Sequence, residues 1–239
     1  MVTPVVVTFD VNETLLDLAA PDPLFEEHLG SAGLRPTWFA TMLQVAFVGA
    51  LTGRYVDFTS AQIAALHMTA ARAGRSLTDA EASVIVGAMR RLPPHPDARP
   101  GIERLREAGF TITALTNSLL DVAQDQLDYA GLADLFDGVY SADAVTALKP
   151  QPKAYQLVAD AWAIDISLMW LVAAHGWDVS GALSAGARAG FVARAGATPI
   201  PLGPQPEVVG EDIDQVALQL IEARDQPRPV PLRTELRRE

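Results

Sequence analysis

The run Val5-Val6-Val7-Thr8-Phe9-Asp10 decides how the rest of the chain is read. A run of β-branched and aromatic residues with no polar alternation suits a strand covered on both sides, the central strand of a parallel sheet. Asp10 closes the run. In an open parallel sheet, ligands bind beyond the carboxyl ends of the strands. A lone aspartate at such an end is otherwise a helix cap or a turn former.

Outward from this strand the pattern changes. Between about Pro21 and Arg91 the apolar residues recur at near-helical spacing: Trp38, Met42, Leu43 and Val45 to Phe47, then Ile63, Leu66, His67 and Ala70, then Val84, Ile85, Ala88 and Met89. Gly53 and Gly74-Arg75-Ser76 punctuate the region, which predicts roughly three to five helices and no strand. Pro93-Pro94-His95-Pro96 closes it as a stiff connector. Beyond it strands and helices alternate. Strands are expected at Phe110–Leu115, Gly138–Ser141, Leu168–Ala173 and Phe191–Ala193. Helices are expected at Gly101–Ala108, Leu119–Tyr129, Pro152–Trp162, Val179–Ala187 and Asp212–Ala223. This rhythm predicts an α/β core with a parallel sheet, interrupted soon after its first strand by an all-helical insertion. The expected division is a core of residues 1–18 and 93–225, a helical cap of 19–92, and a mobile tail of 226–239.

The chain has 239 residues, 18 basic and 29 acidic side chains, and a formal net charge of −11. A chain of this length buries roughly 70–75% of its extended surface, enough for one or two cores. It has no cysteine, which removes thiol catalysis, cysteine-ligated zinc and iron–sulfur clusters. The acidic balance offers no counterion-release drive toward a nucleic-acid backbone. The opening residues lack a basic stretch, and their apolar run is too short for a bilayer. The expected location is cytoplasmic, with neither nucleic acid nor membrane as partner.

Four polar clusters fall at predicted strand ends: Asp10, Thr116-Asn117, Lys149, and His175 to Asp178. Each has a bland reading. Thr-Asn-Ser is a good helix N-cap, Lys149-Pro150 suits a surface turn, and His175 a hydrogen-bonded loop. A parallel sheet would bring all four together.

Phe9-Asp10-Val11-Asn12-Glu13-Thr14-Leu15, Leu115-Thr116-Asn117-Ser118, Lys149-Pro150 and Trp177-Asp178 resemble, in order and spacing, the four motifs of the haloacid dehalogenase superfamily. Arg54 to Phe58, Ser141-Ala142-Asp143, Pro152 and Tyr155 are similar to its 2-haloacid dehalogenase (type II) branch. The resemblance implies a Rossmann-like core with a helical cap. It also implies hydrolysis of a short 2-haloalkanoate to the 2-hydroxy acid through an ester on Asp10. Lys149 would keep Asp10 ionised, and Asp178 would orient Lys149 or the hydrolytic water. Asn117 would donate to the halide, and Tyr155 would lie close to the site. Thr14, Thr116 and the backbone N–H groups of Val11 and Asn12 would hold the substrate carboxylate. Family members commonly pair through the cap, so a homodimer through Trp38 to Phe47 is expected.

Departures from the pattern fall at Phe39, Ala173 and His175, with Ala173 standing where a serine is common. Phe39 stands where many members carry an arginine, which leaves the halide to Asn117 and the edges of Phe39 and Trp177. His175 stands where an asparagine is common, as a donor or as a base on water. Two alternatives are a Mg²⁺-dependent phosphatase of the same superfamily and a non-catalytic carboxylate-binding relative. The phosphatase would lack its usual acid at Asn12 and a carboxylate metal ligand in Ala173-Ala174-His175. No metal and no cofactor are expected.

Overall fold

The computed structural model describes residues 5–224, so the tail expected at 226–239 lies outside the described residues. Six strands form one parallel sheet: β1 (Val6–Phe9), β2 (Thr111–Thr116), β3 (Gly138–Ser141), β4 (Met169–Ala173), β5 (Arg188–Val192) and β6 (Val208–Gly210). Their order across the sheet is β3-β2-β1-β4-β5-β6. All four residues of β1 are buried, and its one polar side chain, Thr8, shares a hydrogen bond with the Thr113 hydroxyl of β2 at 2.9 Å. Val7 and Phe9 join the core on one face of the sheet and Val6 joins the core on the other. In register, Phe9 lies opposite Ala114 of β2 and Val172 of β4. The carboxyl ends of these three strands therefore align. The strand order reverses between β1 and β4, and the crevice of such a sheet opens there.

Helices cover both faces. Ile102 of α5 (Ala98–Glu107), Leu127 of α6 (Leu120–Tyr129) and Val216 of α9 (Ile213–Ala223) pack with Val7 and Phe9. Tyr155 of α7 (Pro152–Ala161) and Val179 of α8 (Gly176–Ala185) pack with Val6.

Between β1 and α5 run four further helices, which we label αA (Asp22–Leu29), αB (Arg35–Leu51), αC (Phe58–Arg72) and αD (Asp79–Ala88). Their starts follow from local chemistry. Pro36 sits in the first turn of αB, where a missing N–H costs nothing. Asp57 caps αC by accepting from Ser60 N at 2.9 Å, and Thr78 with Glu81 forms a capping box at αD. Trp38, Met42 and Ala46 of αB are fully buried in a core that includes Ala61, Ala65 and Leu66 of αC. The Trp38 indole donates to Gln62 O at 3.0 Å.

The chain leaves the sheet layer and returns to it side by side. Leu16 and Pro94 form an antiparallel bridge. Asp17 N donates to Pro93 O and His95 N to Leu15 O, both at 2.8 Å. We propose this crossing as the boundary of a cap spanning 19–92. A second tie is the Tyr55 hydroxyl, which donates to Asp143 Oδ1 at 2.7 Å. No helix among the described residues is long and apolar enough to cross a membrane.

Three elements start three residues ahead of expectation, α5 at Ala98 rather than Gly101 among them, and one strand was not foreseen. α8 begins at Gly176 rather than Val179. A Cβ on Gly176 would lie 2.6 Å from Thr198 O, so only glycine allows this helix start to pack so closely. β5 begins at Arg188 rather than Phe191. The Arg188 guanidinium lies over the Trp170 ring at 3.9 Å and pairs with Glu207 at 2.7 Å, which lets a charged residue open a buried strand. β6 was not foreseen, since three residues are too few to show alternation.

Gly181 of α8 faces the loop that carries Lys149. A Cβ there would lie 2.4 Å from Pro150 Cβ and 2.5 Å from the Tyr155 hydroxyl oxygen. Gly181→Ala should destabilise the chain by about 1–3 kcal/mol through overpacking. The midpoint of urea unfolding checks this, and an unchanged midpoint would contradict it.

Candidate active site

At the carboxyl end of β1, Asp10 is almost fully buried. Its backbone N–H donates to Val172 O at 3.0 Å, which fixes the loop against β4. Both carboxylate oxygens are engaged. Lys149 Nζ donates to Oδ1 at 2.8 Å, and Thr14 Oγ1 donates to Oδ2 at 2.7 Å. His175 Nδ1 lies 3.1 Å from Oδ2.

Lys149 is 1% exposed and Asp178 is 0% exposed. The ammonium spends its three protons on Asp10 Oδ1, Asp178 Oδ2 at 2.7 Å and Leu115 O at 2.8 Å. The Tyr155 hydroxyl donates to Asp178 Oδ1 at 2.6 Å. Asn117 grips the Lys149 main chain from both sides. It accepts from Lys149 N at 2.7 Å and donates to Lys149 O at 3.2 Å. One amide proton of Asn117 is left for the cavity it lines.

The cavity beside Asp10 is lined by Asn12, Phe39, Phe58, Thr116, Asn117, Lys149, His175 and Trp177, and measures about 10 Å³. That is room for roughly one water. Phe39 of αB stacks on His175 with ring centres 5.4 Å apart, and His175 stacks on Trp177 at 5.2 Å. These three rings also line an outer pocket of about 550 Å³. They form the wall between the two spaces. The Trp177 Nε1 atom is buried without a hydrogen-bond partner.

The sequence reading is corrected at Tyr155 and Thr14, and at Val11 and Asn12 the side chains stand apart from the backbone role expected there. Tyr155 lies behind Asp178 and off the cavity wall, so it supports Asp178 rather than touching a ligand. The Thr14 hydroxyl donates to Asp10 and accepts from Ala174 N at 2.9 Å, so it is not free to hold a substrate carboxylate. The Val11 side chain belongs to the core, which leaves only its main chain for any such role. Asn12 lines the cavity, yet its amide is tied to Ser118 Oγ at 3.3 Å and to Gln126 Nε2 at 2.9 Å. Asp178 accepts from Lys149 Nζ, the contact that the first of the two roles expected for it calls for.

Three contributors were not foreseen as site residues. Phe58 lines the cavity. Glu13 Oε2 lies 2.8 Å from His175 Nε2. Arg35 of αB faces Glu13 Oε1 at 4.0 Å. Each joins segments far apart in sequence; Glu13 and Phe58 lie within the quoted motif stretches without a role assigned to them, and no local pattern marks Arg35.

The protonation states follow from these contacts. Burial alone would raise Asp10, but Lys149 and His175 beside it hold the carboxyl well below the usual carboxylate range. Burial opposes the charge on Lys149, and Asp10 and Asp178 more than restore it. Burial pushes Asp178 up. Both ring nitrogens of His175 face carboxylate oxygens. A neutral ring would set a lone pair against one of them, so the ring is an imidazolium. Burial works against that charge, yet the hydrogen bonds to Asp10 and Glu13 prevail, and the pKa is raised to about 9. At neutral pH His175 is a donor.

A family model described as haloacid dehalogenase-like hydrolase matches residues 5–186. The chain is 27% identical over 212 residues to haloacetate dehalogenase H-2 of Moraxella sp. (strain B), across 88% of this chain and 95% of that one. It is 32% identical over 190 residues to an (S)-2-haloacid dehalogenase of Xanthobacter autotrophicus, across 79% and 74%. A shorter stretch of 106 residues is 42% identical to a Mycobacterium tuberculosis protein named as a phosphatase, across 44% and 48%. The fold superposes on the solved L-2-haloacid dehalogenase of Xanthobacter autotrophicus with a TM-score of 0.85 at 27% identity, covering 92% and 98% of the two chains.

The His175 pKa is about 9 in the folded chain against 6.5 for an ordinary histidine. Its stabilising contribution is therefore complete below the unfolded value and fades as pH rises through the folded one. The stability gap between wild type and His175→Asn should narrow by on the order of 3 kcal/mol from about pH 6 to about pH 10. Urea unfolding at the two pH values measures it, and an equal gap at both would refute the assignment.

Proposed function

The chain belongs to the haloacid dehalogenase-like hydrolases, and from that premise we propose that it hydrolyses short 2-haloalkanoic acids to 2-hydroxy acids, as a cytoplasmic enzyme working without a metal ion. The observation that carries this reading is the state of Asp10. It is a buried carboxylate kept ionised by Lys149 and the His175 imidazolium, beside a small cavity walled by Phe39, Phe58 and Trp177.

An Asp10 oxygen attacks the halogen-bearing carbon. The carbon–halogen bond breaks, halide leaves with its electron pair, and Asp10 becomes an ester. Halide needs no proton, so a general acid at Asn12 is not required. The free amide proton of Asn117 and the partnerless Trp177 N–H are the donors available to the halide. The His175 imidazolium supplies a second cation from the sheet side, while Phe39 of αB brings an uncharged ring to the cavity. Water then attacks the ester carbonyl and regenerates Asp10. Organic acids exceed the present cavity, so they enter by moving Phe39 of αB off the His175 and Trp177 rings, which opens the cavity to the outer pocket.

The residues do not fit Mg²⁺. Protein donors already hold all four oxygens of the two carboxylates: Lys149 on Asp10 Oδ1 and Asp178 Oδ2, Thr14 on Asp10 Oδ2, and Tyr155 on Asp178 Oδ1. Among the described residues no group of three His, Cys, Asp or Glu side chains gathers as metal ligands would. The local similarity to a phosphatase keeps phosphate-ester hydrolysis as the rival reading.

A halide-release screen of haloacetates and 2-halopropionate enantiomers, run beside a phosphate monoester with chelator or with Mg²⁺, separates the two. Halide release that survives chelation is expected, with a mass increment on Asp10 trapped during turnover and activity abolished in Asp10→Asn. Phosphate release that depends on Mg²⁺, without halide release, would overturn the proposal.

We further propose a homodimer through αB. Trp38, Met42 and Ala46 face the cap's own core, while Val48 and Leu51 are exposed and would be what a second copy covers. Light scattering at micromolar concentrations should give twice the chain mass of 25.5 kDa, and a single chain mass throughout would remove the dimer.

A further inference from the structure

His175 stands between two carboxylates of one short loop, Asp10 on its Nδ1 and Glu13 on its Nε2. The backbone of Glu13 is unusual. Its φ is 64°, in the left-handed region that side chains avoid and glycine takes freely. The loop itself is held by main-chain groups: Glu13 N donates to Leu16 O at 3.0 Å, and the His95 ring contacts Glu13 O at 3.2 Å. None of these contacts needs a side chain at position 13. A residue kept in a strained conformation beside a reactive group points to a use for its side chain. That side chain reaches His175 with one oxygen and faces Arg35 of αB with the other.

We infer that Glu13 is a positioning residue, whose carboxylate on Nε2 turns the His175 ring so that Nδ1 faces Asp10. The chemistry of that nitrogen rests on the dehalogenase reading above. Before reaction, Nδ1 carries a proton aimed at the Asp10 carboxylate. Ester formation removes the Asp10 charge, and the Nδ1 proton loses its partner. It leaves to solvent through the outer pocket, which His175 also lines. Nε2 keeps its proton because Glu13 still accepts it, so the emptied nitrogen is the one beside the ester. When water attacks the ester carbonyl, one of its protons passes to Nδ1 and the other ends on the hydroxyl of the departing 2-hydroxy acid. Asp10 returns as a carboxylate. Each turnover releases one halide and one proton. Glu13 thus plays toward His175 the part that an orienting carboxylate plays toward a catalytic imidazole.

The charged and titratable groups around the ring are Asp10 and Glu13 from the loop, Lys149 and Asp178 behind Asp10, and Arg35 and Arg194 across the outer pocket. The raised pKa of His175 agrees with two carboxylate partners.

The test is a proton–nitrogen NMR titration of wild type, Glu13→Gln and Glu13→Gly, with His175→Asn to assign the signal among the chain's 4 histidines. Wild-type His175 should titrate near 9. In both variants the midpoint should fall by at least about one pH unit. The alkaline limb of halide release should move down by the same interval. Glu13→Gly removes the strained side chain without demanding a new backbone, so its fold is secure. A purely structural Glu13 would alter stability and leave the His175 midpoint in place, and an unmoved midpoint in both variants overturns the inference. Failure of wild type to release any halide would instead defeat the function proposed above, with the titration still judging Glu13.

Discussion

One ammonium group holds the centre of this molecule together. Asp10 and Asp178 are both buried, and two carboxylates so placed repel each other and cannot both be ionised without compensation. Lys149 lies between them at hydrogen-bond distance from each and spends its third proton on Leu115 O. It therefore joins the ends of β1 and β2 to the start of α8. Removing one member of such a buried set strands the others, at a cost of about 3–5 kcal/mol. The positions of β1, β2 and α8 are thus set partly by charge balance, and the apolar packing on either face accommodates it. Asn117 and Tyr155 serve the same constraint, one by clamping the Lys149 main chain and the other by satisfying the second oxygen of Asp178.

Much of this was legible in the sequence, and what escaped did so for identifiable reasons. β1 could be read because a strand buried on both faces shows a run of β-branched and aromatic residues without polar alternation. Asp10, Lys149 and Asp178 could be read because each follows a strand end. Arg188 hid the start of β5, since its charge is absorbed by the face of Trp170 and by Glu207, partners set by the fold. Gly176 hid the start of α8, because the close approach of Thr198 O is a tertiary fact. Glu13 was quoted within a motif yet given no role. A positive φ in a residue other than glycine leaves no trace in a sequence, and His175 lies 162 positions away. The place of Tyr155 behind Asp178 and off the cavity wall was equally hidden, since proximity to a site does not say which side of a carboxylate a hydroxyl occupies.

The layer of αB and αC contributes shape more than charge to the site. Phe39 and Phe58 present rings to the cavity, while Arg35 in the same layer faces Glu13. The positive charge nearest Asp10 comes from Lys149 and His175, both fixed to the sheet. Motion of the helical layer would therefore change the size and wetness of the cavity while leaving the ionisation of Asp10 to groups that do not move with it. The Tyr55–Asp143 bond and the paired segments at Leu16 and Pro94 limit how that layer can swing.

The wall of Phe39, His175 and Trp177 turns solvent into a counted reagent. Behind it there is space for about one water molecule. A reaction that consumes water in such a space draws on a private supply and must be restocked after every cycle. Restocking uses the same opening through which the products depart, so hydration and discharge become a single event. Were the three stacked rings to part once per cycle, their opening would enter the turnover rate, and solvent viscosity would then slow an otherwise fast reaction.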